Sequence, residues 1–208
     1  MISPHAAMWD QRYGADGYAY GQAPNAWLAT QASWLKPGMR ALVPGDGEGR
    51  NGVWLAERGL QVESLDLSEK GIDKARRLAA VRGVRIEARQ ADALAWDWPR
   101  ATYDAIALIF LHLIPTEREK VHAAALAALK PGGRIVLEAF SVDQIERQKA
   151  GSRGGPRDVD LLYRLEYLRG DFAGADILEL AEAEVDLSEG ALHLGPGAVL
   201  RALVEAKA

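Results

Sequence analysis

One stretch decides the fold: Val43-Pro44-Gly45-Asp46-Gly47-Glu48-Gly49-Arg50-Asn51-Gly52. It leaves the apolar, β-capable segment Arg40–Pro44 and enters a helical pattern over Arg50–Arg58. Glycines in such a turn let the backbone bend sharply, and they let a ligand approach bare amide groups at the N-terminus of the helix. The stretch therefore predicts a ligand-binding loop at the end of the first strand.

The charge of this loop narrows the choice of ligand. The glycines from Gly47 to Gly52 match G-x-G-x-x-G, a weak indication of a dinucleotide site, whereas a phosphate-binding P-loop is excluded because Val53 and Trp54 follow Gly52. Asp46 and Glu48 place two carboxylates in the loop, where they would repel a pyrophosphate and favour a cation. The loop therefore suits S-adenosylmethionine, with its sulfonium and ammonium groups, better than a nicotinamide dinucleotide.

Acidic residues also end the next two strands. Asp66 ends the second strand, where a carboxylate can accept hydrogen bonds from ribose hydroxyls. Asp92, in Gln90-Ala91-Asp92-Ala93, follows the third strand, where it either accepts from an adenine amino group or serves only as a turn residue. Asp104 stands at the start of the fourth strand, at the opposite edge, and we expect a structural role for it.

Strand patterns alternate with helix patterns from residue 40 to residue 140, which is typical of parallel strands joined by crossover helices. Thr116 and Glu119 form a capping-box pattern at the start of the third of these helices. The predicted strands are Arg40–Pro44, Gln61–Asp66, Val84–Gln90, Tyr103–Phe110 and Arg134–Phe140, and the predicted helices are Arg50–Arg58, Ser68–Arg82 and Thr116–Leu129.

The two ends of the chain follow other patterns. Before residue 40, an aromatic, glycine-rich leader precedes a predicted helix over Asn25–Leu35. After residue 140, a glycine-rich segment leads to a short helix near Asp158–Leu168. Two strand-like segments then follow, Asp176–Leu187 and Ala191–Glu205, and the connection between them is so short that it predicts an antiparallel hairpin. The fold class is therefore α/β, with a doubly wound, mostly parallel sheet.

Composition excludes several classes of function. The 208 residues carry a net charge of −4 and no cysteine, so disulfides, cysteine metal sites and thiol nucleophiles are ruled out. The longest apolar run, near Ala105–Leu111, is too short to span a bilayer, and a mildly acidic chain lacks the basic surface of nucleic-acid binders. We expect a cytoplasmic protein that acts on small molecules without nucleic-acid or membrane partners, as a monomer or a homodimer.

At this point the residues carry a resemblance to a known family. Gly45–Asn51, Asp66, Ala91-Asp92, Tyr103-Asp104 and Leu129–Gly133 resemble, in order and spacing, the class I S-adenosylmethionine-dependent methyltransferases. Further segments are similar to the small bacterial branch near the tellurite-resistance and thiopurine methyltransferases: Trp9–Tyr13, Tyr18–Gly21, Gly154–Asp158 and His193–Gly195. The resemblance implies a Rossmann-like sheet of order 3-2-1-4-5-7-6 with strand 7 antiparallel.

The resemblance also implies a domain plan and a set of cofactor contacts. One domain over 1–208 would comprise an N-terminal lid and helix (1–39), a cofactor-binding core (40–140) and a loop, helix and hairpin (141–208). The cofactor's methionine would face Gly45, Asp46, Gly47, Glu48 and Gly49, its ribose Asp66, and its adenine Ala91 and Asp92. Arg50, Asn51, Leu67, Ala93 and Phe110 complete that set. The acid common at the end of the first strand is here Val43, so Asp46 or Glu48 would meet the methionine ammonium.

The end of the fourth strand indicates the class of acceptor. Phe110-Leu111-His112-Leu113-Ile114-Pro115 lacks the Pro-Pro-aromatic motif common among enzymes that methylate planar amines, and cytosine C5 methylation would need a cysteine. His112 is the candidate catalytic base, or else it is hydrogen-bonded within its own loop. Tyr20 and Arg157 are further candidates for the substrate pocket. The histidines show no metal-ligand spacing, so no metal is expected.

Taken together, these patterns predict an enzyme that transfers the methyl group of S-adenosylmethionine to a small nucleophile by in-line displacement, with S-adenosylhomocysteine as product. The acceptor would be a thiol, a chalcogen oxyanion or a small metabolite. Two alternatives stay open: an NAD(P)-dependent oxidoreductase with a Rossmann fold, and a regulatory protein that binds the cofactor without catalysis.

Overall fold

The computed structural model of the chain describes residues 4–207. Its centre is a seven-stranded sheet of order β3-β2-β1-β4-β5-β7-β6, in which β7 is antiparallel to both of its neighbours and the other pairs are parallel. This confirms the predicted fold class and strand order. The strands are β1 Arg40–Pro44, β2 Gln61–Asp66, β3 Glu87–Gln90, β4 Tyr103–Ile109, β5 Leu129–Phe140, β6 Asp176–Glu189 and β7 His193–Glu205.

Seven helices cover the sheet and its edges within the described residues. They are α1 Pro4–Tyr13, α2 Ala26–Thr30, α3 Arg50–Glu57, α4 Glu69–Val81, α5 Pro115–Ala128, α6 Gln144–Lys149 and α7 Leu165–Asp171. Two short 3₁₀ turns, Gln31–Ser33 and Val159–Leu161, complete the set. None of these helices is long and apolar enough to cross a membrane.

Both faces of the central strands are buried, which is why these strands are apolar along their whole length. Along β1, Leu42 packs into one hydrophobic cluster while its neighbours Ala41 and Val43 pack into another. The two clusters lie on opposite faces because successive side chains of a strand alternate in direction. The buried strands therefore form a rigid platform, and their carboxyl ends meet along one edge.

Local signals explain where the helices next to that edge begin. Gly49 has φ +89°, a left-handed conformation that suits glycine, and α3 starts directly after it. The Ser68 hydroxyl accepts a hydrogen bond from the Gly71 amide and so caps α4. The predicted capping box of Thr116 and Glu119 is wrong, because α5 begins one residue earlier with Pro115 in its first turn and Ile114 at the cap position.

Other boundaries also differ from the prediction. β3 begins at Glu87 rather than Val84, and β5 begins at Leu129, because this residue already pairs with Tyr103 before a shift in register. The helix predicted over 158–168 is instead the 3₁₀ turn, an extended residue Arg164 and then α7. The helix predicted over 25–35 is α2 followed by a 3₁₀ turn, and the leader contains α1, which sequence analysis missed.

Candidate active site

The carboxyl ends of β1, β2 and β4 meet at one edge of the sheet, and two distant segments form a roof over this edge. One is the leader, which we define as residues 4–24, and the other is the turn between β6 and β7. The two touch closely: a Cβ added at Gly190 would lie 2.5 Å from the Ala19 carbonyl oxygen. The leader also contacts the glycine loop, since a Cβ added at Gly47 would lie 2.5 Å from the Tyr13 hydroxyl. The edge is therefore covered by the leader and by the turn between β6 and β7.

Asp46 holds the glycine loop together from inside. Its Oδ2 accepts hydrogen bonds from the Ser64 hydroxyl at 2.8 Å and from the Gly52 amide at 3.2 Å. Burial raises the pKa of Asp46 to about 6, although these bonds act in the opposite direction. This geometry disfavours a contact to the methionine ammonium and indicates a structural role.

Asp66 lies at the end of β2, as predicted, and supports the same loop. Its Oδ2 accepts from the Gly47 amide and its Oδ1 from the Ser68 amide, both at 2.8 Å. Burial raises the pKa of Asp66 to about 6 as well. Each carboxylate oxygen retains a second lone pair, so the group can bond to the backbone and to a ribose hydroxyl at once.

Glu48 connects the loop to the leader. Its Oε2 accepts from the Ala19 amide at 2.6 Å, and its Oε1 lies 2.8 Å from Lys74 Nζ. The same ammonium donates to the carbonyl oxygens of Ala15 and Gly17. Glu48 is therefore committed to binding the leader, which disfavours it as the partner of a ligand ammonium.

Arg50 is the first residue of α3 and has an unused donor. One guanidinium nitrogen, Nη2, donates to Glu189 Oε2 at 2.8 Å, and the side chain is only 8% exposed. The other, Nη1, is buried without a hydrogen-bond partner among the described residues. A buried guanidinium N–H without a partner is costly, so its position beside a glycine-rich helix N-terminus indicates a subsite for an anionic group.

The residues predicted to face the adenine are only partly brought into place. The Ala91 amide donates to the Asp66 carbonyl oxygen at 2.8 Å, so Ala91 lies beside the ribose candidate. The Asp92 side chain is exposed and accepts from the Leu94 amide at 2.9 Å, which is the turn role. Leu67 and Ala93 contribute backbone carbonyl oxygens to side-chain donors of Gln90 and Trp98.

An aromatic cluster lies after β4, where the acceptor was predicted. We use the term for Tyr20, Phe110, His112, Phe140 and His193. The Phe110 ring centroid lies 4.6 Å from that of Phe140 and 4.7 Å from that of His193, and the Tyr20 centroid lies 4.5 Å from that of His193. Phe110 has φ +52°, which costs energy for a side chain of this size, and such strain concentrates at functional sites.

His112, the predicted base, has both ring nitrogens engaged by the backbone. Its Nδ1 lies 2.7 Å from the Leu161 carbonyl oxygen, so it donates there, and its Nε2 accepts from the Phe140 amide at 3.4 Å. Burial lowers the pKa of His112 to about 4, well below the usual imidazole value of about 6.5. The geometry favours the alternative in which His112 is held within its loop.

His193 is the residue that sequence analysis missed as a candidate base. Its Nδ1 lies 3.1 Å from Glu189 Oε2, and the side chain is buried within the aromatic cluster. Burial opposes the charge on Glu189, but the bond from His193 and the charge of Arg50 outweigh it and lower the pKa of Glu189 to about 2. An ionised carboxylate on Nδ1–H leaves Nε2 as the acceptor, which is the arrangement of an oriented base.

The two other substrate candidates have different surroundings. Tyr20 lies in the aromatic cluster, and its hydroxyl accepts a hydrogen bond from Arg12 Nη1 at 2.8 Å. Arg157 is exposed and makes no hydrogen bond or ion pair with the rest of the described chain. The structure therefore brings Tyr20 to the site, and for Arg157 it shows only a surface position.

Comparison with known proteins identifies the family to which the chain is similar. A family model described as "Methyltransferase domain" matches residues 41–133. The chain is 33% identical over 164 residues to a thiopurine S-methyltransferase from Azotobacter vinelandii. This alignment covers 67% of this chain and 73% of that protein. Other relatives align over about half of the chain, including enzymes named for a tRNA uridine and for ribosomal RNA.

Solved structures show the same fold over the whole chain. One, from work on the conversion of a disulfide bond into a thioacetal group during echinomycin biosynthesis, has a TM-score of 0.78 at 21% identity and covers 100% of this chain and 92% of that one. TehB from Haemophilus influenzae has a TM-score of 0.71 at 18% identity, over 97% of this chain and 67% of that one.

Proposed function

The chain belongs to the class I S-adenosylmethionine-dependent methyltransferases, and from this premise we propose that it methylates a small acceptor that carries a hydroxyl or thiol proton. The observation that supports the acceptor class is the pair of His193 and Glu189, which meets the aromatic cluster under the roof. A base oriented in this way is useful only where the acceptor has a proton to lose.

The residues at the edge fit the cofactor. Arg50 Nη1 is an unused buried donor suited to the methionine carboxylate, and the lone pairs that remain on Asp66 suit the ribose hydroxyls. Ala91 would flank the adenine. We assign the anchoring of the cofactor to Arg50 and Asp66, and we assign to Asp46 and Glu48 the shape of the loop and the closure of the leader.

When bound, S-adenosylmethionine supplies a methyl carbon attached to a sulfonium, which is a good leaving group. His193 Nε2 would take the proton of the acceptor, so that the acceptor's sulfur or oxygen could attack the methyl group that the bound cofactor would supply, with S-adenosylhomocysteine as the leaving group. The products are the methylated acceptor, S-adenosylhomocysteine and an imidazolium that returns its proton to solvent. Tyr20, Phe110 and Phe140 exclude water and orient the acceptor.

A small acceptor fits this site better than a nucleic acid. Some relatives bear names that refer to RNA, but here the edge is covered by the leader and by the hairpin turn. The chain carries 29 acidic and 25 basic residues, so it lacks the charge excess that phosphate backbones attract. The aromatic cluster offers polarisable surface to a soft thiol or to a ring that bears a hydroxyl.

The test measures S-adenosylhomocysteine release from the purified chain over a panel of thiols, phenols, tellurite and selenite, with S-adenosylmethionine affinity from calorimetry. We expect turnover on thiols or phenols, and we expect His193→Gln to abolish most of it. His122→Gln is the matched control, because His122 is also buried against a carboxylate, that of Asp171, outside the site. Turnover on tellurite alone would overturn the proposal that the acceptor carries a hydroxyl or thiol proton. Binding of S-adenosylmethionine without turnover on any acceptor would favour a regulatory protein.

A further inference from the structure

Asn25 is a buried polar residue that the function described so far leaves without a role. It is 1% exposed and stands between the leader and α2. Its backbone and its side chain bond to segments of the chain that are far apart in sequence. Such a residue is either a helix cap alone or a connection between parts of the site.

Every polar group of the side chain has a partner. The Asn25 Oδ1 accepts from the Leu28 amide at 3.0 Å and so caps α2. The amide nitrogen Nδ2 donates to Glu138 Oε2 at 2.5 Å and to Glu189 Oε1 at 3.2 Å. Only this orientation of the amide satisfies all three groups, because the reverse would place Oδ1 against two carboxylates.

The backbone of Asn25 makes a fourth connection. Its N–H donates to Asn51 Oδ1 at 2.9 Å, and Asn51 lies in the first turn of α3, directly after the glycine loop. Asn25 thus contacts the first turn of α3 through Asn51, strand β5 through Glu138, and the end of strand β6 through Glu189. The same Glu189 carboxylate bonds to His193 and Arg50 through its other oxygen.

We infer that Asn25 is a positioning residue for methyl transfer: its side-chain amide separates and orients the carboxylates of Glu138 and Glu189 and so holds the His193 imidazole in the tautomer that the reaction needs. This inference deepens the proposed function and rests on it. An amide NH₂ has two protons, and here each carboxylate receives one. A hydroxyl or a carboxylate at this position can cap α2, but it cannot donate to both neighbours.

The inference implies that one carboxylate positions both the cofactor subsite and the acceptor subsite. Arg50, which we assign to the cofactor carboxylate, and His193, which faces the acceptor, both bond to Glu189. A displacement of Glu189 therefore changes the direction of both side chains. Through Glu189 and Arg50, loss of Asn25 also affects the cofactor subsite, so we expect kcat to fall and the affinity for S-adenosylmethionine to fall by a smaller factor, since Asp66 is not bonded to Asn25.

The test uses Asn25→Ser and Asn25→Asp, which keep a side-chain oxygen to cap α2, with Gln31→Ala as control. Gln31 lies just after α2, and within the described residues its side chain bonds only to the neighbouring side chains of Thr30 and Trp34. The first readout is the His193 tautomer, from ¹⁵N NMR of the full chain without ligand. We expect the Nδ1–H form to dominate in the wild type and in Gln31→Ala, and to decrease in both Asn25 variants.

The second readout is the rate of methyl transfer. We expect kcat to fall by about tenfold or more in both variants and the S-adenosylmethionine affinity to fall by a smaller factor. Asn25→Asp adds a third carboxyl beside Glu138, which pairs with Arg201, and Glu189, which pairs with Arg50 and His193. Its activity relative to wild type should rise as pH falls from 8 to 6, because protonation of this added carboxyl, for which no unpaired cation is left among these groups, removes the repulsion. A folded Asn25→Ser with the wild-type His193 tautomer would overturn the inference. Because the tautomer needs no turnover, this failure is distinct from failure of the proposed function.

Discussion

The two halves of the candidate site differ in how their residues are distributed along the chain. The cofactor half, from the glycine loop to Asp66 and Ala91, comes from consecutive strands and lies within residues 45–91. The acceptor half combines Tyr20, Phe110, Phe140 and His193, which come from four separate segments. The residues of the cofactor half can be recognised in the sequence by their spacing, whereas those of the acceptor half are far apart in sequence and only the fold brings them together.

The largest effect is expected from His193→Gln, which should impair the acceptor half and leave the cofactor half nearly unchanged. Loss of a general base typically lowers kcat by about 10²- to 10⁴-fold, and the affinity for S-adenosylmethionine should change little because Asp66 is untouched. Steady-state rates with a thiol or phenol acceptor and calorimetry for the cofactor measure the two effects. A reduced cofactor affinity with unchanged kcat would place His193 in the other half.

The opposite pattern is expected from Asp66→Ala. The substitution removes the carboxylate that accepts from Gly47 and Ser68 and that would accept from the ribose. Loss of a charged hydrogen-bond partner should weaken S-adenosylmethionine binding by about 1.5–3 kcal/mol. Calorimetry measures it, with Asp104→Asn as a control at the far edge of the sheet, where the carboxylate bonds to Lys130. Equal affinities in the two variants would remove Asp66 from the cofactor half.

His112 should contribute to the pH dependence of stability rather than to catalysis. Burial lowers its pKa in the folded chain to about 4, below the value of about 6.5 in the unfolded chain. The unfolded state therefore binds more protons between these values, so this contribution to stability is complete above pH 6.5 and is lost as pH falls toward 4. His112→Gln should lose less stability than wild type between pH 7 and 5 in urea unfolding. Parallel curves for both chains would contradict the lowered pKa.

The smallest effect on S-adenosylmethionine affinity is expected from a substitution of Asp92, directly after the cofactor half. Its exposed carboxylate accepts from the Leu94 amide of its own turn, and asparagine can make the same bond. Asp92→Asn should therefore change S-adenosylmethionine affinity by no more than about 0.5 kcal/mol. A loss as large as that of Asp66→Ala would restore the adenine contact that sequence analysis preferred.

Sequence analysis predicted the fold and most of the cofactor half because both depend on short-range patterns. The glycine loop, Asp66 and the final hairpin are readable from spacing and from turn residues. The roles of Asp46 and Glu48 could not be read, since charge in a loop does not reveal whether the carboxylate turns outward to a ligand or inward to Ser64 or Lys74. His112 was preferred to His193 because it follows a strand, while the carboxylate that orients His193 lies across a hairpin turn.

The roof has a consequence for the order of events during protein synthesis. Gly190 packs against Ala19 and Gly21, so the first and last parts of the chain meet over the site. On the ribosome, the leader and the strands that carry the glycine loop and Asp66 emerge long before β7, the last strand, which carries His193. Contacts between residues so far apart form late, because the intervening chain must be ordered first. A nascent chain can therefore complete the acceptor half of the candidate site only after β7 has emerged and paired.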